Sequence, residues 1–319
     1  MNTAFVTGGA GFIGSHIVDA LVFAGWKVVV VDNLSHGKWG NIASKLIFES
    51  NQNTDKEAGG GKVYAYHADI RDLEEMERIF IQHPCAVVIH CAAQISVQES
   101  IKQPQLDREI NVQGTKNLID VIKKYPVQQC VYLSSGGAIY GDAQQIPTLE
   151  TAILAPKSPY GKHKLEAEQL LMSEFSGNPC VTVLRLSNVY GTRQPAEGGG
   201  VIAKLFDCVA KKSKFGLAGD GEQIRDFVYV QDVVSAVICA LQSKNAGVFN
   251  ISTGIGVSLS TLLEYVQEVT KQTLIIEKMP QCTEDVIKSI LSNNLAKISL
   301  NWEPRFDILM GLEDMCVVA

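Results

Sequence analysis

A tyrosine and a lysine lie four residues apart in the segment 158–164, which reads SPYGKHK. Ser158 suits the N-cap of a helix and Pro159 its first position, so Tyr160 and Lys164 are expected on one helical face. A phenol with an ordinary pKa of about 10 is a poor base at neutral pH, but a neighbouring ammonium favours the phenolate. Tyr160 could therefore take a proton from a hydroxyl. The alternative is an exposed helical pair without a chemical role.

Two adjacent serines offer a further hydroxyl. Ser134 and Ser135 follow the apolar run 130–133, which predicts a buried strand. A hydroxyl at the carboxyl edge of a parallel strand lies where such sheets bind ligands, so Ser135 is the third catalytic candidate. The alternative is a serine pair that only forms a turn.

A glycine-rich segment, 7–14 (TGGAGFIG), lies between a predicted strand, 4–6, and a predicted helix, 14–25. Its glycines permit a tight turn and the close approach of a pyrophosphate, and a helix N-terminus offers free N–H groups to phosphates. Asp32 follows the next predicted strand, 27–31, where a carboxylate accepts hydrogen bonds from a ribose and repels a 2′-phosphate. The pattern predicts NAD rather than NADP. The alternative is a glycine-rich turn followed by an ordinary strand-end aspartate.

The strands that must position these residues are short β-branched runs without alternation of apolar and polar residues, such as 86–90 and 180–186. Both faces of such strands must be covered, which predicts an α/β fold with a Rossmann-like, doubly wound parallel sheet. We expect this NAD-binding domain in residues 1–180, with parts of 181–250 returning to it. Residues 181–319 are expected to form mainly a smaller, mixed α/β lobe that binds the substrate.

The composition excludes several classes of protein. The 319 residues carry a net charge of −6 and no run of Lys or Arg, so a nucleic-acid surface is not expected. The apolar runs are too short to span a bilayer and no targeting signal is visible, so a cytoplasmic protein without a membrane segment is expected. The eight cysteines form no C-x-x-C pair, which predicts free thiols and no metal site. The polar stretch 51–62 predicts a mobile insertion.

Together these motifs resemble the extended short-chain dehydrogenase/reductase family, of the NAD-dependent epimerase/dehydratase type, and most closely its UDP-glucose (UDP-galactose) 4-epimerase branch. The resemblance covers nearly the whole chain and implies NAD as cofactor and a UDP-sugar as substrate. Further matching segments are 69–72 (DIRD), 90–94 (HCAAQ), 111–117 (NVQGTKN), 185–191 (RLSNVYG) and 223–230 (QIRDFVYV).

The resemblance also implies roles for individual residues. Asn188 and Arg225 would contact the UDP diphosphate, to which an arginine fork is suited. Tyr160, Lys164 and Ser135 would be catalytic. The NAD-binding residues would be Gly8, Gly11, Phe12, Ile13, Gly14, Asp32, Asn33, Asp69, Ile70, Ala92, Ala93, Gln94, Tyr160 and Lys164, and the substrate-binding residues Ser134, Ser135, Asn188, Arg225 and Ser289.

Two glycines after Ser135, Gly136 and Gly137, bear on the reaction. Sugar-nucleotide 4,6-dehydratases resemble this chain but carry an Asp-Glu pair just after the Ser or Thr, and related decarboxylases carry a Glu. The absence of an acid here implies 4-epimerisation of a UDP-hexose or UDP-N-acetylhexosamine through a transient 4-keto sugar. NAD would be recycled and would stay tightly bound.

Four positions depart from the pattern of the branch. Gly136 occupies the usual place of the catalytic hydroxyl, which Ser135 supplies one residue earlier. Cys282 replaces an arginine that grips phosphate, and Leu186 replaces a tyrosine beside the nicotinamide. Ser289 stands where some epimerases have a bulky tyrosine, which implies room for a 2-acetamido group.

Two other functions stay open. One is a sister enzyme acting on sugar nucleotides: a uronic-acid epimerase, a 4,6-dehydratase or a reductase. The other is an NAD-binding protein without catalysis, against which the presence of both Tyr160 and Lys164 argues. By analogy with the family, a homodimer is expected.

Overall fold

The computed structural model describes residues 2–42, 46–47, 61–175, 177–280 and 286–318. Residues 51–60 of the predicted insertion, and Cys282, lie outside this part of the chain. The chain forms two compact units. The first comprises Met1–Ser134, Lys157–Leu184 and Val237–Val248, and the second Ser135–Pro156, Arg185–Ala236 and Phe249–Ala319.

Strands and helices alternate through the first half of the chain. The strands are β1 (Thr3–Thr7), β2 (Lys27–Asp32), β3 (Leu46–Ile47), β4 (Lys62–His67), β5 (Val87–His90), β6 (Gln129–Ser135), β7 (Cys180–Leu186), β8 (Asn188–Tyr190), β9 (Lys214–Ala218), β10 (Ile224–Tyr229), β11 (Gly247–Ile251), β12 (Gly256–Ser258), β13 (Ile275–Met279) and β14 (Lys288–Ser289). The helices are α1 (Phe12–Phe23), α2 (Leu73–Gln82), α3 (Val97–Lys102), α4 (Pro104–Arg108), α5 (Gly114–Lys124), α6 (Gly136–Ile139), α7 (Pro159–Glu174), α8 (Val201–Lys211), α9 (Val230–Ser243), α10 (Leu259–Thr270), α11 (Asn294–Leu300) and α12 (Ile308–Val318).

One large sheet has the strand order β11-β7-β6-β5-β1-β2-β4-β3. Parallel pairing joins β1 to both β2 and β5, β2 to β4, and β5 to β6. The chain runs outward from β1 to β4 and then returns to β5 on the other side of β1, so the strand order reverses between β1 and β5. This topology confirms the predicted Rossmann-like, doubly wound fold. The carboxyl ends of β1 and β5 are therefore the place where such a sheet binds a ligand.

Strands β1, β2, β5, β6 and β7 of this sheet are buried on both faces, as their lack of alternation predicted. Phe5 and the run Val28–Val31 are fully buried. Helices α2 and α5 contribute Met76, Phe80 and Leu118 to the same core cluster. Burial of each such side chain stabilises the fold by roughly 1.5–3 kcal/mol, and the packed helices supply the second layer that parallel strands require.

Helix α1 begins at Phe12, two residues before the predicted start at Gly14, and ends at Phe23 rather than Gly25. Gly11 is its N-cap in an extended conformation, and Gly25 has a φ of +80°, which stops the helix. The earlier start places the unbonded N–H groups of the first helical turn directly after the glycine turn.

The second unit contains a small mixed sheet and a separate strand pair. In the sheet, β10 pairs in parallel with β8 and β14 and antiparallel with β12, while β9 and β13 form the pair. The buried carboxylate of Asp226 accepts hydrogen bonds from the backbone N–H and hydroxyl of Thr253 (2.9 and 2.8 Å) and from Gly254 N (2.9 Å). These contacts fix the chain after β11 against β10. Every helix among the described residues is too short or too polar to cross a bilayer.

Candidate functional site

The glycine turn of the first unit needs glycine at two positions. Gly8 has a φ of +67°, and a Cβ there would lie 2.7 Å from Ala92 N. A Cβ at Gly14 would lie 2.1 Å from the carbonyl oxygen of Gly8. The turn between β1 and α1 is therefore compact and open to a ligand beside free N–H groups, which fits the pyrophosphate of a dinucleotide. Gly11, Phe12 and Ile13, also predicted to contact NAD, complete this turn and the first turn of α1.

Asp32 ends β2 with its carboxylate held against the glycine turn. Its Oδ2 accepts a hydrogen bond from Ala10 N (2.9 Å) and its Oδ1 accepts one from Leu34 N (2.8 Å). Burial raises the pKa of this carboxyl, and the backbone hydrogen bonds counteract that rise. Each oxygen keeps a lone pair, so the carboxylate is oriented and still able to accept the hydroxyls of a ribose.

Asp69, two residues after β4, is a second carboxylate, and its pKa lies well below the ordinary value. Arg71 binds Asp69 through two hydrogen bonds, of 2.9 Å from Nε and 2.8 Å from Nη2, and lowers the pKa of Asp69 to about 2. Asn33 donates to the same carboxylate at 2.8 Å. Ile70 packs so closely on Gly114 that a Cβ at Gly114 would lie 2.5 Å from Ile70 Cδ1. The structure thus brings together Asn33, Asp69 and Ile70, which were predicted to contact NAD.

Strand β5 is held to β1 by a chain of polar groups. Thr7 Oγ1 lies 2.7 Å from His90 Nδ1, and His90 Nε2 lies 3.0 Å from Thr115 Oγ1. Thr115 gives its own proton to Asn111 O (2.7 Å), so Nε2 of His90 must donate and Nδ1 must accept. Thr7 Oγ1 also accepts from Ala92 N at 3.3 Å. This chain fixes the backbone at Ala92 and Ala93, beside Gly8.

Gln94, whose contact with NAD stays a prediction, is hydrogen-bonded within the protein. Its side-chain amide donates to Ser96 O (2.9 Å) and Asp107 Oδ1 (2.7 Å), and its Oε1 accepts from Ser96 N. Asp107 also contacts His163 Nδ1 at 2.5 Å. The side-chain amide of Gln94 therefore stabilises the loop after β5, while its backbone N–H donates to Asn111 Oδ1 at 3.0 Å and its carbonyl accepts from Asn111 Nδ2 at 3.2 Å. No local pattern indicates the partner of the side-chain amide, because Asp107 lies thirteen positions away in α4.

Helix α7 begins as predicted, with Ser158 Oγ accepting from Gly161 N at 3.1 Å. Tyr160 lies in the first turn and is half-buried, and Lys164 follows one turn later with only 3% of its surface exposed. Lys164 Nζ donates to Leu133 O at 2.7 Å. Burial lowers the pKa of Lys164 to about 7. An amine poised between its two protonation states can change the charge beside Tyr160 near neutral pH.

The two serines at the end of β6 point in opposite directions. Ser134 is buried, and its hydroxyl donates to Glu168 Oε2 of α7 at 3.0 Å. This hydrogen bond ties β6 to α7, and the substrate contact expected of Ser134 stays a prediction. Because side chains alternate along a strand, Ser135 faces the other way and remains the third catalytic candidate.

In the second unit, predicted substrate residues lie on neighbouring strands. Asn188 begins β8, and its Oδ1 would be 3.2 Å from a Cβ at Gly137. Arg225 in β10 pairs in register with Ser289 in β14, so both side chains share one face of the sheet. Arg225 Nη1 donates to Ile224 O at 2.9 Å and to Ile287 O at 3.4 Å.

The sequence missed a buried polar network in this unit. Tyr140 OH donates to Asn250 Oδ1 (2.7 Å) and accepts from Arg185 Nη1 (2.8 Å). Asn250 N in turn donates to Glu150 Oε1 at 2.9 Å. These contacts hold the segment that follows α6. Ser135 is the N-cap of that helix. Arg185 belongs to the matching segment 185–191, so the sequence contained a signal for it, but its pairing with Tyr140 depends on the fold.

The burial of Lys164 predicts a pH-dependent stability. Below pH 7 the folded protein must bury an ammonium, whereas the unfolded chain keeps its lysine charged up to about pH 10.4. The unfolded state therefore binds more protons between these values, and the free energy of unfolding rises with pH by up to ~4 kcal/mol from this group. Lys164→Met should remove that rise. Chemical denaturation from pH 6 to 10 measures it, with Lys162→Met on the exposed face of α7 as control. Equal slopes for wild type and Lys164→Met would contradict the expectation.

Comparison with known proteins gives consistent matches. The model of the NAD dependent epimerase/dehydratase family matches residues 4–252. The chain is similar to the UDP-glucose 4-epimerase of Mycolicibacterium smegmatis, with 33% identity over 310 residues, 96% of this chain and 95% of the relative. It is similar to the crystal structure of a Thermotoga maritima UDP-glucose 4-epimerase with UDP-glucose (TM-score 0.87, 39% identity, 98% of this chain and 97% of that chain). The Thermus thermophilus UDP-glucose 4-epimerase complex with NAD is also similar (TM-score 0.87, 35% identity, 98% of this chain and 97% of that chain).

Proposed function

Because the chain belongs to the NAD-dependent epimerase/dehydratase family, we propose that it catalyses the NAD-dependent 4-epimerisation of a UDP-hexose or UDP-N-acetylhexosamine. The observation that carries this proposal is the position of Lys164. Its ammonium is buried one helical turn from Tyr160 and is anchored on Leu133 O, in the unit that carries the glycine turn. A protein that only binds NAD has no need of a buried lysine in this place.

The residues of the first unit suit NAD. The lack of a Cβ at Gly8 and Gly14 lets the turn close tightly on the neighbouring backbone, and Asp32 presents oriented carboxylate oxygens. We propose that they hold the pyrophosphate and the adenosine ribose, with Asn33, Asp69 and Ile70 near the adenine. When bound, NAD supplies the group that accepts hydride from the sugar and returns it.

The chain's own residues then move the proton. Tyr160 accepts the proton of the sugar 4-hydroxyl while the C4–H bond breaks, and returns it when the 4-keto group is reduced from its other face. The charge of Lys164 favours the phenolate form of Tyr160. Ser135, at the end of β6, is proposed to hydrogen-bond the reacting oxygen. Asn188 and Arg225 are proposed to keep the UDP diphosphate bound while the 4-keto sugar turns over.

The decisive experiment is product analysis. Purified protein is incubated separately with UDP-glucose, UDP-galactose and the two UDP-N-acetylhexosamines, and the products are resolved by chromatography. We expect an isomer of equal mass, with no net change in absorbance from NADH. Consumption of added NADH or NADPH would instead indicate a reductase, and loss of water from the sugar would indicate a dehydratase.

Ser289 makes a prediction about the acceptable sugar. Ser289 pairs in register with Arg225, and we propose that its small side chain leaves room for a 2-acetamido group. We expect activity on UDP-N-acetylgalactosamine, and Ser289→Tyr should lower kcat/KM for it by about tenfold relative to UDP-galactose. The measurement is the ratio of kcat/KM for the two substrates. Lys288→Met, on the same strand, is the control. A ratio that Ser289→Tyr leaves unchanged would refute the assignment.

We further propose that the protein is a cytoplasmic homodimer that acts on a small molecule and not on nucleic acid or a membrane. The net charge of −6 supports the exclusion of nucleic acid, and the seven described cysteines are free thiols, which suits a reducing compartment. Light scattering of the purified protein would test the oligomeric state.

A further inference from the structure

Tyr132 is a core residue whose hydroxyl has no hydrogen-bond partner among the described residues. The residue lies in β6 and is 1% exposed. An unpartnered buried hydroxyl costs folding free energy, and burial raises the pKa of this phenol well above its ordinary value. Tyr132 therefore stays protonated and neutral in the pH range where enzymes work. Its contacts are made by the ring.

The ring of Tyr132 lies against the ammonium of Lys164. Lys164 Nζ is 4.2 Å from the centre of the ring, well inside the range of roughly 6 Å in which an aromatic face attracts a cation. The ring of His90 packs beside Tyr132 with its centre 5.4 Å away. In the described part of the chain, the ammonium has one hydrogen bond, to Leu133 O, and no ion pair.

The carboxylates of Glu168 and Asp107 counteract the lowering of the pKa of Lys164 by burial, and the ring face of Tyr132 is a further support for the charge of this lysine. Burial lowers the pKa of His90 to about 3 and raises that of Cys91 to about 12, so both are neutral at pH 7. The titratable and charged groups that face Lys164 are His90 and Cys91 at the end of β5, Asp107 in α4, Tyr132 in β6, and Tyr160 and Glu168 in α7.

We propose that Tyr132 is a positioning residue, whose ring face holds the buried ammonium of Lys164 in place and favours its charged form. The negative face of the ring replaces part of the hydration that Lys164 loses on burial, which an aliphatic side chain cannot do. The consequence for catalysis rests on the proposed function of Lys164 beside Tyr160. The effect on the charge of Lys164 does not depend on that function.

The test changes the electron density of the ring at position 132 while nearly preserving the shape of the side chain. Tyr132→Phe keeps the ring and removes only the unpartnered hydroxyl. A trifluorinated phenylalanine at position 132 weakens the negative face, and Tyr132→Leu removes it. Each protein, isolated with the dinucleotide it retains, is unfolded chemically from pH 5 to 10. Lys164→Met in the same backgrounds isolates the contribution of Lys164, and the pH profile of kcat with UDP-glucose is recorded in parallel.

In Tyr132→Phe, Lys164 should titrate at the same pH as in the wild type, and the variant should be at least as stable. The trifluorinated ring should lower the pH at which Lys164 titrates by a few tenths of a unit, and Tyr132→Leu by about one unit. The alkaline limb of kcat should move by the same amount. Coincident unfolding curves for the phenylalanine and trifluorinated forms would overturn the proposal, and they do so even if Tyr132→Leu fails to fold. If the wild type is inactive on UDP-sugars, the proposed function fails, and the unfolding curves still decide the role of Tyr132.

Discussion

Tyr160→Phe is expected to lower kcat for 4-epimerisation by about 10²–10⁴-fold, the range typical of a lost general acid–base group. The phenylalanine keeps the ring in the first turn of α7 but has no proton to exchange with the sugar. We expect little change in the Kd for the UDP-sugar and in the amount of NAD that copurifies, because neither depends on proton transfer. Steady-state kinetics and the ultraviolet absorbance of the purified protein measure both quantities.

A matched control is Tyr265→Phe in α10 of the second unit, which should behave as the wild type. A Tyr160→Phe variant that keeps more than about a tenth of the wild-type kcat would show that another group moves the proton. A variant that loses both activity and bound NAD would assign Tyr160 to cofactor binding and not to catalysis.

Gly14→Ala is expected to abolish retention of NAD. The added Cβ would lie 2.1 Å from the carbonyl oxygen of Gly8, so the turn must open or α1 must shift. Either movement displaces the N–H groups that we propose to bind the pyrophosphate, and the overpacking should destabilise the fold by roughly 1–3 kcal/mol. The dinucleotide released by heating the purified protein, quantified by chromatography, measures the loss.

Gly40→Ala is the control for this change, because a Cβ at Gly40 meets no atom within 4 Å. Denaturation curves separate the two effects of Gly14→Ala. A folded variant without NAD is the expected outcome. A folded variant that holds NAD as tightly as the wild type would show that the turn does not bind the pyrophosphate.

Much of the fold could be predicted from local patterns. Strand β7, Cys180–Leu186, has the predicted bounds, because a continuous apolar run ended by polar residues marks a buried strand. Helix α7 begins at the predicted residue, since Ser158 and Pro159 act through contacts within one turn. The glycine turn was equally readable, because the positive φ of Gly8 and the close contact of Gly14 with the carbonyl of Gly8 both arise within the turn itself.

What could not be predicted depends on contacts between distant segments. Glu168 of α7 sets the direction of the Ser134 side chain, and Asp107 of α4 accepts from the side-chain amide of Gln94. Each pair forms only when its helix packs against the rest of the unit. The burial of Lys164 likewise follows from packing on β6, so the sequence indicated its proximity to Tyr160 but not its lowered pKa. The start of α1 was predicted two residues too late because its N-cap, Gly11, has no side chain and therefore gives no capping signal in the sequence.

The division of the chain has a consequence for dissecting the protein. The polypeptide passes from one unit to the other after Ser134, Pro156, Leu184, Ala236 and Val248, so neither unit is a continuous piece of sequence. A gene fragment that ends at any of the first four points therefore omits parts of both units, and one that ends after Val248 omits the last segment of the second unit. We expect truncated forms to be insoluble, whereas fragments that together contain the whole sequence should regain activity only when they are coexpressed.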